Sequence, residues 1–428
     1  MKYSIVIPTY NHCEDLLKPC IESIFRYTDM TEVELIISAN GCLDSTGDYL
    51  KGLRQAFNQV GFPTHLTVVW NSMPLGYAKA TNVGIQAAKG EYIVLLNNDT
   101  VMLQQSRNEW LKMLSKPFED PRCGISCVLK SKSEVTGKDF AIFFCVMIHR
   151  RVFDTIGLIS TDFGVGGCED IAFCADAERA GFMIHECAPK SFKDQQFVGV
   201  FPIYHKGEGT VLDSELVYDY RTTFELNTLK LAQKYNPDWY RWKLSNNYER
   251  AVFLKGDEVF PREKTRYEWA AKHVEGLSVL EIGCSTGYGL QFMPQGVHYM
   301  GLDYDPIIVK VAQEQAWSPT AQFMHADINK VELGQYDTII AFEVIEHLDN
   351  GLDVLQKLKK HCSNLLFTVP LNEPQGFWGP HHKLHGLNES HFPGFAFDYI
   401  DEHGAITAEP VPIYERNRCN LLIGRWHA

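Results

Sequence analysis

Two series of short, almost wholly apolar segments, each alternating with stretches of helical periodicity, constrain the fold of this chain more than any other feature. The first series runs through residues 4–8, 34–38, 66–70 and 92–96, and the second through 277–282, 299–302, 336–342 and 365–369. Runs of this length, lacking the polar alternation of a half-exposed strand, belong in a sheet covered on both faces. Between them, residues 15–27 place Leu16, Leu17, Cys20, Ile21, Ile24 and Phe25 at helical spacing, and residues 78–88 have the same character. In the second series, 289–293 reads as a helix start, and Asp305 followed by Pro306 opens a helix predicted over 306–315. The expectation is a parallel α/β sheet built twice, with ligands outside the C-terminal strand ends.

The stretch 213–265 differs in kind: it is polar, rich in aromatics and helical in pattern over 214–235 and 239–255, with Pro237 and Pro261 as breaks. It reads as a helical connector. No internal repeat joins the halves, so the organisation expected is a first domain over 1–212, a connector over 213–261 and a second domain over 262–428.

With 428 residues, 45% hydrophobic and 22% charged, each part is large enough to bury its own core. The formal net charge of −13 argues against nucleic acid or an anionic membrane as the main partner, since both reward a basic face. The twelve cysteines show no paired CxxC spacing, which argues against structural zinc. No secretory leader and no transmembrane run is evident, so a cytoplasmic protein with free thiols is expected.

In the first half, polar residues follow the apolar runs. Residues 90–100 read GEYIVLLNNDT and residues 167–181 read GCEDIAFCADAERAG. Asp99, at the end of a strand, is placed as a hard oxygen ligand for a divalent cation, and His205 in YHKGEGT offers a nitrogen. Glu169 and Asp170 follow a Gly-Val-Gly-Gly run and begin a helix, where a carboxylate can face a cleft and take a proton. A cation to compensate a departing diphosphate and a base for the acceptor hydroxyl together suit transfer from a nucleoside diphosphate. Taken singly, Asn-Asn-Asp is equally a turn, and Glu-Asp equally a helix N-terminus.

Taken in order, SIVIPTYN, SANGCLDST, NSMPLGYAKATNVGIQAAKGEYIVLLNNDT, IFFCVMIHRRVFDTIGL, GCEDIAFCADAERAG and YHKGEGT resemble a family 2 glycosyltransferase of the GT-A fold across residues 1–210. The resemblance implies that Pro8, Thr9 and Tyr10 hold the nucleotide, and that Asn40, Gly76, Lys79, Asn97 and Asn98 line the nucleotide-sugar site. It makes Asp99 the metal-binding aspartate, with His205 beside it and manganese or magnesium as the ion. The general base falls on the Glu169–Asp170 pair, Asp170 above all, and the implied reaction is inverting displacement at the anomeric carbon. Two positions depart from the family pattern. Asn97 stands where its first aspartate would be, and Ala39 and Asn40 stand at the acidic position that reads the base.

In the second half, VLEIGCSTGYG (279–289) ends a strand in an acidic residue and a glycine-rich turn, formed by Glu281, Gly283 and Gly287. Such a turn lets backbone approach a nucleoside closely. Asp303 stands 20 residues after Gly283, the spacing at which a carboxylate meets ribose hydroxyls. A dinucleotide site fits this turn equally. The ordered pieces FMHADI, YDTIIAFEVIEHL and LLFTVP then make residues 262–428 resemble a class I S-adenosylmethionine-dependent methyltransferase with a Rossmann-like fold. By that resemblance Glu281, Gly283, Ser285 and Gly287 hold the methionine part of S-adenosylmethionine, Asp303 with Tyr304 the ribose, and Asp327 and Ile328 the adenine. Glu343 faces the methyl-transfer region.

Methyl transfer to oxygen needs a proton acceptor, for which neutral histidine is suited. His347 and the loop FWGPHHKLHGLNESHF, with His381, His382, His385 and His391, supply candidates. His347 and His382 are expected to act there, with Phe377 and Trp378 placed to stack on a sugar. A surface or packing loop and a metal site are the competing readings.

The expected whole is a bifunctional glycan-modifying enzyme of surface-polysaccharide synthesis, taking a nucleotide sugar and a glycan or glycolipid acceptor and methylating a hydroxyl of the product. The rival expectations are one catalytic domain beside a binding or scaffold module, and a modifier of nucleic-acid bases.

Overall fold

The computed structural model describes residues 1–187, 192–193, 196–197, 201–207, 220–247, 251–377, 380–412 and 419–428. It divides into two compact units, Met1–Tyr240 and Arg241–Ala428, the division falling inside the stretch expected to be a connector.

In the first unit, β1 (Tyr3–Thr9), β2 (Val33–Asn40), β3 (Leu66–Asn71) and β4 (Tyr92–Leu96) pair in parallel. The short β5 (Thr100–Met102) follows, then β6 (Cys123–Cys127), β7 (Cys145–His149) and β8 (Met183–Glu186). The 7-stranded sheet has the order β8-β6-β7-β4-β1-β2-β3. Here the expected all-parallel sheet is corrected, because β7 runs antiparallel to both β4 and β6. The reason lies in the connection from β6 to β7. It carries a two-stranded ribbon, Lys130–Lys132 against Asp139–Ala141, and no crossover helix, so the chain returns antiparallel. A last strand, β9 (Ile203–His205), pairs with β5 and sets His205 opposite Thr100.

Every residue of β1 and β2 is buried; Glu34, the one charged residue among them, accepts from the Ser4 hydroxyl at 2.6 Å. Ile5, Ile7, Leu35 and Ile37 pack on one face with Leu17, Ile21 and Ile24. Val6, Ile36 and Leu95 pack on the other with Ala78 and Ile85. The helices of this unit are α1 (Lys18–Tyr27), α2 (Thr46–Gln59), α3 (Tyr77–Ala87), α4 (Glu109–Ser115), α5 (Arg150–Ile156) and α6 (Glu169–Arg179). A helix α7 (Tyr220–Tyr235) joins them: Asn227 Nδ2 donates to the Phe163 and Gly166 carbonyls, both at 2.9 Å, and Tyr235 donates to Asp176 at 2.8 Å. Then comes α8 (Pro237–Asn247). The helix expected over 239–255 stops earlier: 251–254 is not helical, because Phe253 is buried in the second unit's core. Pro261, expected as a break, instead occupies the first turn of α9 (Pro261–His273), where its missing N–H costs nothing.

The second unit's sheet is built from β10 (Ser278–Ile282), β11 (His298–Asp303), β12 (Ala321–His325), β13 (Tyr336–Phe342), β14 (Cys362–Pro370), β15 (Ala396–Ile400), β16 (Ile406–Thr407) and β17 (Leu421–His427). Their order is β12-β11-β10-β13-β14-β17-β15-β16. The first five are parallel, and β17 runs antiparallel between β14 and β15. Strand order therefore reverses between β10 and β13, the position at which open α/β sheets bind ligands. Helix α10 (Pro306–Glu314) starts as expected, with Asp305 accepting from Ile307 N and Ile308 N. The helix start at 289–293 is only a 3-10 turn, Tyr288–Phe292, followed by extended Met293 and Pro294. Helix α11 (Gly351–Lys359) completes the unit.

None of the twelve cysteines forms a disulfide; ten are buried, and Cys187 and Cys419 are half-buried. Among the described residues no helix is long and apolar enough to cross a membrane.

Candidate functional sites

In the first unit the strand ends meet as the sequence suggests. Thr9 at the end of β1 accepts a hydrogen bond from Asn98 Nδ2 at 3.0 Å, and both side chains are buried. Pro8 is buried beside Thr9, and Tyr10 is half-buried. Asn40, at the end of β2, turns its Oδ1 to Leu75 N at 2.7 Å and so fixes the loop before α3. Gly76 closes that loop with φ +82°, and a Cβ there would lie 2.7 Å from the Gly164 carbonyl. Only glycine fits. Tyr77 N then donates to the Val165 carbonyl at 2.9 Å, which ties the loop to the segment preceding Glu169 and Asp170. Lys79 stands exposed one turn further on α3.

Asp99 is 7% exposed, and its Oδ1 lies 3.3 Å from His205 Nε2. Neither of these atoms has a hydrogen-bond partner among the described residues, and the same is true of Asn97 Oδ1 and Glu169 Oε2. The His205 ring stacks on Phe144 at 4.3 Å. Phe144 also accepts from Asn97 N at 2.8 Å, while the neighbouring Phe143 carbonyl accepts from the Tyr77 hydroxyl at 3.0 Å. Burial, and then the charges of Glu169, Asp170 and Asp99, push the Tyr77 hydroxyl well above its ordinary value. Burial, and then the charge of Glu169, raises the Asp170 carboxyl well above the usual carboxylate range; burial raises Glu169 as well. Phe143, Phe144 and Tyr77 were not singled out from sequence, although they lie inside runs that were. Nothing in an apolar run marks which carbonyl will organise a site.

A divalent cation fits these residues. Two buried ligand atoms of the right kind, a carboxylate oxygen and an imidazole nitrogen, lie 3.3 Å apart with no hydrogen-bond partner among the described residues, and a cation satisfies both.

In the second unit the glycine-rich turn is fully bonded. Gly283 N and Cys284 N donate to the Leu302 carbonyl, and Asp303 accepts from Ser285 N at 2.9 Å and Asp305 N at 3.0 Å. Gly283, Ser285 and Gly287 have φ of +70°, +51° and +78°. Thr286 donates to the Phe253 carbonyl at 2.5 Å, and Trp317 donates to the Thr286 carbonyl at 2.6 Å. Glu281 lies behind this turn, its two oxygens taken by the Tyr267 and Tyr299 hydroxyls, and burial pushes its carboxyl up to about 7. Tyr304 is exposed at the end of β11, and the Asp303 carbonyl accepts from Ala326 N, next to Asp327. Asp327 accepts from Asn329 N, which holds its carboxyl below the ordinary value, and Ile328 is buried.

At the adjacent strand end, Glu343 adopts φ +52°, a conformation costly for a residue with a Cβ, and its Oε1 is buried without a hydrogen bond among the described residues. The short turn Ile345–His347 follows. Lys383 N and Leu384 N both donate to the Glu346 carbonyl, which brings the histidine loop over this turn and sets His382 edge-on to His347 at 4.5 Å. His385 is half-buried, and His381 is exposed. His391 is not part of this group: its ring caps the turn Glu389–His391 by accepting from Asn388 N. Phe377 is half-buried, and Trp378 lies outside the described residues. Glu346, missed in the sequence reading, is fully buried at the centre of the group.

Residues 4–143 match the family model described as glycosyl transferase family 2, and residues 254–403 match one described as a methyltransferase domain. A 99-residue stretch is 31% identical to "Glycosyltransferase GlyG" of Streptococcus pneumoniae serotype 4, covering 23% of this chain and 30% of that protein. Another, of 92 residues, is 34% identical to a "Probable S-adenosylmethionine-dependent methyltransferase" of Mycolicibacterium smegmatis, covering 21% of this chain and 35% of that protein. The chain thus spans about a third of the length of these curated relatives. Among solved structures, a mannosyltransferase from Pyrobaculum calidifontis in complex with GDP-Man and Mn2+ is 18% identical with a TM-score of 0.36, over 44% of this chain and 57% of that one. The chain joins an N-terminal glycosyl transferase family 2 domain, GT-A-like in fold, to a C-terminal methyltransferase domain of Rossmann-like fold.

Proposed function

We propose that the chain is a bifunctional enzyme of glycan assembly, in which the first unit transfers a sugar from a nucleotide sugar with inversion and the second methylates a hydroxyl of that sugar or its neighbour. The observation that carries the first half is the Asp99–His205 pair, whose facing Oδ1 and Nε2 atoms are buried without a hydrogen bond among the described residues. Asp99 and His205 hold the divalent cation, which when bound compensates the charge of the departing diphosphate. Asp170 takes the acceptor proton, and its raised pKa suits it to act near neutral pH. Thr9 and Asn98, locked to each other, give the nucleotide side a fixed floor.

In the second unit the turn from Gly283 to Gly287 and the Asp303 carboxylate hold S-adenosylmethionine, which when bound presents an electrophilic methyl group. Glu343, His347 and His382 lie at the next strand end, on the acceptor side, and orient the hydroxyl. The coupling of the two reactions on one product belongs to this proposal. The test is to incubate the chain with manganese, a panel of nucleotide sugars, a glycan acceptor panel and S-adenosylmethionine, and to follow product mass. A product carrying both a sugar and a methyl increment is expected. Singly modified products alone would rule out the coupled scheme.

A further inference from the structure

We propose that the methyltransferase unit holds its own divalent transition-metal ion, of the zinc or manganese class, bound by Glu346, His347 and His382 on the acceptor side of the methyl-transfer site. The proposal rests on the reading of this unit as a methyltransferase only for the ion's role, and not for its binding.

Three observations converge. The ligand atoms of Glu346, His347 and His382 lie within 4.8 Å of one another, close enough to share one ion. Glu346 is 0% exposed, and both of its carboxylate oxygens are buried without a hydrogen bond among the described residues. An ionised carboxylate so placed is expensive unless a cation meets it. The buried Arg266 does not settle the account: its guanidinium donates to the Tyr288 hydroxyl at 2.7 Å, and its influence on Glu346 is outweighed by the like charges of Glu343 and Glu373.

The third observation is the support around the histidine. His382 Nδ1 is held by Glu373 at 2.6 Å, and Glu373 is itself 2% exposed. A carboxylate fixing one nitrogen leaves Nε2 as the coordinating atom, the usual outer arrangement of a metal-bound histidine. The loop is pinned for this purpose by the two amides, Lys383 N and Leu384 N, that converge on the Glu346 carbonyl. Glu343 stands three residues before Glu346, held in its left-handed conformation with Oε1 unbonded among the described residues.

Two imidazoles with carboxylate favour a borderline ion over magnesium or calcium. Two histidines and a glutamate also leave coordination positions open, as catalytic sites do. An acceptor hydroxyl occupying one of them is oriented and made more acidic. The histidines, expected from sequence to be proton acceptors, thereby become ligands, and the site is drawn from two loops instead of from the histidine loop alone.

Since Asp99 and His205 hold an ion of their own, the test uses the full chain carrying Asp99→Asn, stripped with chelator and titrated calorimetrically with zinc or manganese, with magnesium as the comparison. One ion per chain is expected, with magnesium binding far more weakly. Adding Glu346→Gln or His382→Ala should weaken binding by about 100-fold or more, and Glu373→Gln, which acts only through His382, by about 10-fold. S-adenosylhomocysteine binding, measured on the same samples, reports an intact fold and tests the cofactor reading separately. Absence of an ion in the Asp99→Asn chain, or an affinity unchanged by Glu346→Gln and His382→Ala, overturns the proposal, whatever S-adenosylhomocysteine does. Loss of S-adenosylhomocysteine binding with the ion retained overturns the cofactor reading and leaves the metal site standing.

Discussion

The glycine-rich turn of the second unit and the acid-lined strand ends of the first both sit where parallel strands finish, yet they leave their polar groups in different states. In the turn, Asp303 receives two backbone amides and the backbone of Gly283 and Cys284 is tied to Leu302. At the strand ends of the first unit, Asn97, Asp99, Glu169 and His205 each keep a buried polar atom outside any hydrogen bond among the described residues. Each such atom costs about 1–3 kcal/mol in a folded protein. The turn is shaped by its own chain before a ligand arrives, whereas the sugar-transfer site stores charge that only a ligand relieves. The histidine group of the second unit, with Glu346 at its centre, belongs with the latter type although it neighbours the former.

Four measurements can break or sharpen this contrast. The largest effect is expected from Asp170→Asn, which should lower sugar transfer by about 1000-fold, within the range for loss of a general base, while leaving S-adenosylhomocysteine affinity unchanged. If that change silences methylation too in a folded chain, the two sites are not chemically independent. The pH profile should come next in size. Asp170 works deprotonated, and burial and Glu169 raise its pKa, so sugar transfer should fall tenfold per pH unit on an acid limb displaced upward from the ordinary carboxylate range. A limb at the pKa of a free aspartate would place the base elsewhere.

Asp303→Ala should weaken S-adenosylhomocysteine by about 10- to 100-fold, since it removes a carboxylate and frees two amides, with no change in nucleotide-sugar affinity. Binding that survives intact would show that the turn holds its shape without the clamp. Asn98→Ala is the mildest: it deletes the bond to Thr9 and should reduce donor affinity severalfold, about 1 kcal/mol, in a titration with nucleoside diphosphate and manganese. A larger loss would mean that Asn98 itself touches the donor.

Much of this was legible in the residues. Unbroken apolar runs such as 4–8 and 92–96 placed the strands of both sheets, because full burial leaves no room for alternation. Asp99, Asp303 and Glu343 stand at or just after such runs, so their location at strand ends needed no tertiary information, whereas Asp170 opens a helix behind a glycine-rich run. What escaped was set by long-range pairing. The reversal of β7 depends on a ribbon between Lys130 and Ala141 whose turn is not special in sequence. The strands β15 to β17 escaped because Ala396–Ile400 and Leu421–His427 are broken by polar residues and pair late in the chain, β17 against both β14 and β15. Glu346 escaped for a related reason: its importance lies in a burial and a partner, His382, that come from a loop 36 residues further on.

The distribution of thiols has a practical consequence. Ten of the twelve cysteines are buried, which leaves Cys187 in the first unit and Cys419 in the second as the half-buried ones. The Cys187 sulfur is engaged by Ser126 and the Met113 carbonyl, and burial raises its pKa, so it should react slowly. A thiol-reactive dye pair added in sequence should therefore mark one unit and then the other without any engineered residue. The native chain thus offers its own attachment points for a fluorescence ruler between the two units.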